Sequence, residues 1–209
     1  MTVSRFVALS FLVVLLTGGA VFSEARGQSL KGGTMAMETR IETATLGGGC
    51  FWCLEAVLER VDGVKSVTSG YAGGPVANPS YEQVCTGETG HAEVVQVEYD
   101  PAVISYGQLL GHFWSAHDPT TKDRQGGDVG SQYRSVILYA NEQQRIVAEK
   151  SKAMLNASGE NSNPVVTEIV PLKVFYKAEG YHQDYFRNNP NAPYCVFVIK
   201  PKLKKLEHK

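Results

Sequence analysis

The stretch TATLGGGCFWCLEAVLERVDG, residues 43–63, decides the reading of the chain. Thr43 to Leu46 has strand character and ends in three glycines, Gly47, Gly48 and Gly49. A helix is expected from about Cys50, because Leu54, Val57, Leu58 and Val61 recur at helical spacing, and Asp62-Gly63 stops it. The turn between strand and helix also sets up chemistry. Unbonded N–H groups at a helix start, together with the macrodipole, favour an anion there. A free cysteine titrates near ~8.5, whereas helix-start cysteines fall to roughly 3.5–7.5. Cys50 is therefore expected to favour its thiolate and act as a nucleophile, with Cys53, one turn on, gaining less from the same field.

Working outward, Val64 to Tyr71 reads as a strand, followed by a Gly-, Pro- and Asn-rich loop through Pro79 and a short helical turn at Tyr81 to Val84. From His91 to Tyr99 the residues alternate, with Ala92, Val94, Gln96 and Glu98 on one side and Glu93, Val95, Val97 and Tyr99 on the other. That period of two predicts a half-buried strand. Ser105 to Ala116 is expected to be helical, and His117 to Gln132 is a polar, Gly-rich loop of the length that often carries function. Ser135 to Tyr139 reads as a strand, Glu142 to Leu155 as a helix and Val165 to Ile169 as another strand. Tyr181, His182, Tyr185 and Phe186 are placed in a helix, with a last strand from Cys195 to Ile199. Strands alternating with helices, without internal repeats, predict a single α/β domain.

Composition narrows the function classes. Hydrophobic residues make up 43% and charged residues 20% of the chain, as in ordinary globular proteins, and the formal net charge of -1 gives no reason to expect nucleic acid or an anionic membrane as partner. The basic cluster Lys200, Lys202, Lys204, Lys205 and Lys209 reads as a solvated, frayed end. Arg5 followed by the apolar run Phe6 to Leu16, then Ser23-Glu24-Ala25, has the form of a cleaved export signal, and the run is shorter than the roughly 20 residues of a spanning helix. Residues 1–25 are thus expected to be a signal peptide, 26–40 a linker and 41–209 one catalytic domain. The protein is expected to be secreted or periplasmic, off the membrane after cleavage. Four cysteines, Cys50, Cys53, Cys85 and Cys195, are too few for a disulfide scaffold; Cys85 is expected to be buried and inert.

A C-x-x-C has rival readings. Zinc deaminases join H-x-E to P-C-x-x-C, and His91 with Glu93 forms an H-x-E; here the order is reversed and Gly49 replaces the proline. With Cys85 and Cys195 standing alone, no second C-x-x-C completes a zinc cage, so no metal is expected. A thioredoxin-like exchanger also uses C-x-x-C after a strand. Phe51 and Trp52 between the two cysteines suit a pocket for a small apolar group better than an open sulfur, although core packing explains them equally. A catalytically silent module with such a pocket is a third alternative.

The segments GCFWCLEAVLERVDGV, SGYAGG, NPSYEQVCTG, TGHAEVVQVEYDP, DVGSQYRS and EGYHQDYF resemble, in this order, the peptide methionine sulfoxide reductase A family, over about Glu42 to Leu206. The resemblance implies a two-layer α/β (α+β) sandwich of ferredoxin-like character with a mixed sheet. It also implies reduction of the S epimer of methionine sulfoxide, free or in peptides and proteins, as repair of oxidative damage. Cys50 of GCFW would attack the sulfoxide sulfur, and Phe51 and Trp52 would hold the ε-methyl group. Glu93 of GHAE would protonate the departing oxygen, Tyr81 and Tyr133 would hydrogen-bond it, and Asp128 would help orient the site. A carboxyl can be an acid at neutral pH only with a raised pKa, which burial provides. The recycling thiol would be Cys195, with Cys53 as the alternative. No bound cofactor is implied; an external, thioredoxin-like dithiol completes the cycle of a monomeric enzyme.

Overall fold

The computed structural model describes residues 40–206. The expected leader, and the linker through residue 39, lie outside them.

The strand predicted from its alternation is β3, Ala92–Tyr99, and two earlier strands flank it. β1, Glu42–Gly47, pairs antiparallel on one side, with Leu46 opposite Val95; β2, Val64–Ala72, pairs antiparallel on the other, with Tyr71 opposite Glu93. β1 and β2 are therefore parallel, with β3 between them, and α1, Phe51–Leu58, makes the crossover. α2, Tyr81–Cys85, lies in the connection from β2 to β3. α3, Tyr106–Ala116, follows β3 and leads through the short pair β4, Arg124–Gln125, and β5, Asp128–Val129, to β6, Val136–Tyr139. β6 pairs antiparallel with β1. The inner order β6-β1-β3-β2 is thus that of two interleaved βαβ units, the ferredoxin-like arrangement expected.

α4, Glu142–Ala157, then returns the chain to β7, Glu168–Pro171, which extends the sheet parallel to β6 and makes it mixed. At the other edge β8, Phe175–Lys177, pairs with β2. α5, Tyr185–Asn188, and α6, Lys200–Leu206, complete the chain.

Local chemistry explains the boundaries. Ser80 and Ser105 each cap a helix reciprocally with a glutamine three residues on, Gln83 and Gln108. The glycines after β1 are required by close approach. A Cβ on Gly48 would lie 2.9 Å from the His117 ring, and Gly49 adopts φ +91° with Gln125 where a side chain would go.

The main core lies between sheet and helices. Val95, Val97 and Tyr99 of β3 meet Phe51, Leu54 and Leu58 of α1 and Leu109, Leu110 and Phe113 of α3, all fully or nearly fully buried. Glu93 continues that row of β3, so the alternation aims its carboxyl at the head of α1. β3 is more than half-buried, contrary to the sequence reading. Ala92 and Val94 on its far face pack with Val136 and Leu138 under Val170, Leu172 and Phe175.

Four other expectations need correction. β7 spans Glu168–Pro171, not Val165–Ile169, because Val166 N–H bonds to the Pro119 carbonyl before the chain reaches the sheet. The region around Tyr181 is a 3-10 turn, Gly180–His182, and the short α5, broken where Asp184 takes a left-handed φ of 52°. Cys195–Ile199 is a π-helical turn, not a strand: its apolar run buries Cys195 and Ile199 against the core and leaves Phe197 exposed. Finally, the basic segment continues as α6, since Leu203 and Leu206 pack onto the main core while Lys200, Lys204 and Lys205 are exposed and Lys202 is half-buried; Lys209 lies outside the described residues.

β8 escaped the sequence reading because it is three residues long, yet it is tightly fitted. A Cβ on Gly70 of β2 would stand 2.4 Å from the Phe175 ring and 2.5 Å from the Tyr176 carbonyl. Gly70→Ala should therefore cost about 1–3 kcal/mol of stability, as overpacking does. The expected result is a lower urea midpoint with an unchanged m-value.

Candidate active site

The end of β1, the head of α1 and the start of β3 meet at one buried point. The Phe51 N–H, the first of the helix, donates to Glu93 Oε2 at 3.0 Å. Cys50 stands immediately before it as N-cap, and its side chain makes no capping bond. Cys53, one turn in, binds back to Cys50 through its own N–H at 3.0 Å. Both thiols are buried, and each acts on the titration of the other.

The expectation that Cys50 rests as a thiolate is corrected here. Burial pushes its thiol well up, and the hydrogen bond to Cys53 and the charge of Glu93 add to the effect. The physical reason is that the helix-start field is already engaged: the leading N–H points at a carboxyl oxygen, not at sulfur. Cys53 moves the other way, to about 7, chiefly because it accepts the hydrogen bond from Cys50. Thiolate character in the pair falls on the inner sulfur.

Glu93 behaves as expected. Burial raises its carboxyl to about 8, with the charges of Asp128 and Cys53 adding and the Phe51 N–H opposing. It is mostly protonated at neutral pH. Tyr81 and Tyr133 both feel its charge, and burial first of all keeps both phenols protonated, hence donors. Tyr133 is held by a turn tied down on three sides: Ser131 donates to the Gly87 carbonyl, Gln132 to the Cys85 carbonyl and Arg134 to the Gly90 carbonyl. The Tyr81 phenol also feels the charge of Cys85, one helical turn on. That cysteine, expected to be buried, is exposed at the end of α2.

Asp128 joins the site through a residue the sequence reading did not single out. Tyr194 donates its hydroxyl to Asp128 Oδ2 at 2.7 Å and lies 3.6 Å from Cys53 Sγ. Three more residues went unnoticed. His182 Nδ1 accepts the Trp52 indole N–H at 3.1 Å, and its ring packs on Phe51 and Tyr81 at 5.0 and 4.4 Å. Tyr185 stacks on Trp52 at 3.7 Å with planes 7° apart. Glu179 accepts from the Tyr71 hydroxyl and the Tyr81 N–H, both at 2.9 Å. The available signal was the run EGYHQDYF, whose Glu179, His182 and two tyrosines are too polar for plain core packing.

Phe51 is fully buried and Trp52 partly so. Together with Tyr81, Tyr185 and Tyr194 they give an aromatic wall beside Cys50. The zinc alternative gains nothing from His91: Nδ1 accepts from the Gly74 N–H at 3.1 Å, and Nε2, which then carries the proton, meets the Val76 carbonyl at 2.7 Å. Among the described residues, no three His, Cys, Asp or Glu side chains converge as metal ligands would.

An acid near 8 inside the fold implies a stability signature. Because the folded pKa of Glu93 lies above its unfolded value of about 4.5, its stabilising contribution is complete below that value and is lost as pH rises through about 8. Glu93→Gln cannot lose a proton. Its urea midpoint should therefore gain on the parent's between about pH 5 and 8, then run parallel; a constant difference would show that Glu93 is ionised throughout.

Comparison with known proteins places these features in context. The model of the family described as peptide methionine sulfoxide reductase matches residues 42–209. A peptide methionine sulfoxide reductase MsrA of Sulfolobus acidocaldarius is 58% identical over 79% of this chain and 93% of its own length. Among solved structures, Mxr1 from Saccharomyces cerevisiae in reduced form superposes with a TM-score of 0.70 at 36% identity, covering 76% of this chain and 91% of that one. Mxr1 in complex with Trx2 superposes at 0.51 with 28% identity, covering 68% and 84%.

Proposed function

Because the chain belongs to the peptide methionine sulfoxide reductase family, we propose that it reduces the S epimer of methionine sulfoxide, free or in peptides and proteins, through Cys50 and Glu93. The observation that carries this reading is the protonated, buried Glu93 carboxyl on the amide next to Cys50.

A sulfoxide sulfur is a poor electrophile until its oxygen is protonated. Glu93 holds a proton at neutral pH and can give it to that oxygen. While Glu93 is neutral, one of the charges that keep Cys50 protonated is absent. Cys50 then attacks the sulfur of the sulfoxide. The oxygen passes to Cys50 as a sulfenic acid and methionine leaves: substrate sulfur is reduced by two electrons and Cys50 oxidised by two. Tyr81 and Tyr133 donate to the oxygen, and Asp128, fixed by Tyr194, orients the site. Phe51 and Trp52 take the ε-methyl group, which an apolar aromatic wall accepts and the polar oxygen avoids.

A second thiol and an external dithiol then restore Cys50. The relative Mxr1 has been solved with Trx2, which supports a thioredoxin-like reductant here. Arg5, the apolar run Phe6 to Leu16 and the small residues after it have the form of an export signal, which supports repair of oxidised proteins outside the cytoplasm.

With dithiothreitol as electron source, the S epimer should be reduced and the R epimer not. Cys50→Ser should release no methionine; parental turnover in that variant would refute the assignment. Glu93→Gln should lower the rate of methionine release about 10²–10⁴-fold, the usual worth of a positioned acid, while Cys50 still reacts with an alkylating agent.

A further inference from the structure

Of the thiols available to reset Cys50, sequence alone favours Cys195, on the pattern of a recycling cysteine near the C-terminus. The structure gives that residue no freedom to travel. Cys195 opens a π-helical turn, is fully buried, and is followed directly by α6, which is itself packed on the core. Cys53 needs no journey. It sits one helical turn from Cys50, closed onto it by the Cys53 N–H to Cys50 carbonyl bond at 3.0 Å, and the two buried thiols act on each other's titration.

We propose that Cys53 is the thiol that resolves the Cys50 sulfenic acid, so that each turnover closes a disulfide across the C-x-x-C at the head of α1. This rests on the function proposed above and assigns its recycling step.

The geometry supports closure. Helix neighbours three apart have Cβ atoms ~5–6 Å apart, and a disulfide wants ~3.5–4.5 Å, a difference of about 1–2 Å. Cys50 is outside the regular helix, with ψ 127° and no side-chain cap bond, so its side chain can turn without breaking the first turn. The Tyr194 hydroxyl lies 3.6 Å from Cys53 Sγ and helps hold that sulfur in place. The tendency of Cys53 to ionise at neutral pH, to about 7, suits an attacking thiol. In the step, Cys53 sulfur bonds to Cys50 sulfur and the sulfenic oxygen leaves as water, taking the Cys53 proton and one from its own hydroxyl. Cys50 is reduced and Cys53 oxidised, with no external electron. A dithiol reductant then attacks the bridge, forms a mixed disulfide, and is released as its own cyclic disulfide, returning both thiols.

The test is a single-turnover experiment on the full-length protein. Reduced enzyme receives one equivalent of methionine S-sulfoxide; released methionine is measured, and the protein is acid-quenched, digested and mapped for disulfides. Dimedone, which traps sulfenic acid, is added in parallel. Methionine release with a Cys50–Cys53 bridge is expected. Cys195→Ser should form the same bridge, and Cys53→Ser should release methionine once, retain a dimedone-reactive Cys50, and recycle with a thioredoxin about tenfold more slowly or worse. A Cys50–Cys195 bridge in the parent overturns the proposal, and so does a persistent sulfenic acid there. Because the bridge is mapped in the parent, the result stands even if Cys53→Ser does not fold. Methionine release without the bridge sinks only this inference; no release at all sinks the function as well.

Discussion

One hydrogen bond organises the site: the leading amide of α1, from Phe51, donates to the carboxyl of Glu93 on β3. It joins the first helix to the central strand at the point where β1 delivers Cys50. A carboxyl there would ordinarily be drawn down by the helix N-terminus, but burial wins and the group stays protonated near neutral pH. The same contact decides the fate of the neighbouring sulfur. The amide that could have stabilised a Cys50 thiolate is turned to oxygen, and burial keeps the nucleophile a thiol at rest.

Around this bond the molecule adds a shell that fixes rings. Trp52 is stacked on Tyr185, bonded to His182 and met edge-on by Tyr194. The supports of that shell come from the C-terminal segment, where Glu55 of α1 anchors the entry to α5 by accepting the Tyr185 N–H at 3.1 Å while also taking the Ser69 hydroxyl at 3.2 Å. Burial raises the Glu55 carboxyl, and its bonds satisfy an otherwise isolated polar group. Thus α1 carries the nucleophile on its leading end and, one turn later, the anchor for the aromatic wall. A helix of eight residues serves both because Cys50 and Glu55, five apart, stand on different faces.

The long loop from His117 to Gln132 earns its length in the same way. It carries Asp128 to the hydroxyl of Tyr194 and ends in the turn that holds Tyr133. Gly130, with φ 144°, lets the chain double back so that its N–H reaches the Asp123 carbonyl at 2.9 Å.

Local pattern was enough for much of this. The alternation in Ala92–Tyr99 put Glu93 on one face with Val95, Val97 and Tyr99, and the spacing of Leu54, Val57 and Leu58 gave α1, because side-chain period is a property of neighbouring residues. The motifs around Cys50, Glu93, Tyr81, Asp128 and Tyr133 were likewise legible as a set. What the sequence could not carry depends on residues far apart in the chain: the second buried face of β3, the three-residue β8, the π-turn at Cys195, the roles of His182 and Tyr194, and the protonation of Cys50. A pKa or a short edge strand is set by what packs around it, and burial, the largest cause at Cys50 and Glu93 alike, exists only once the chain has closed around the site.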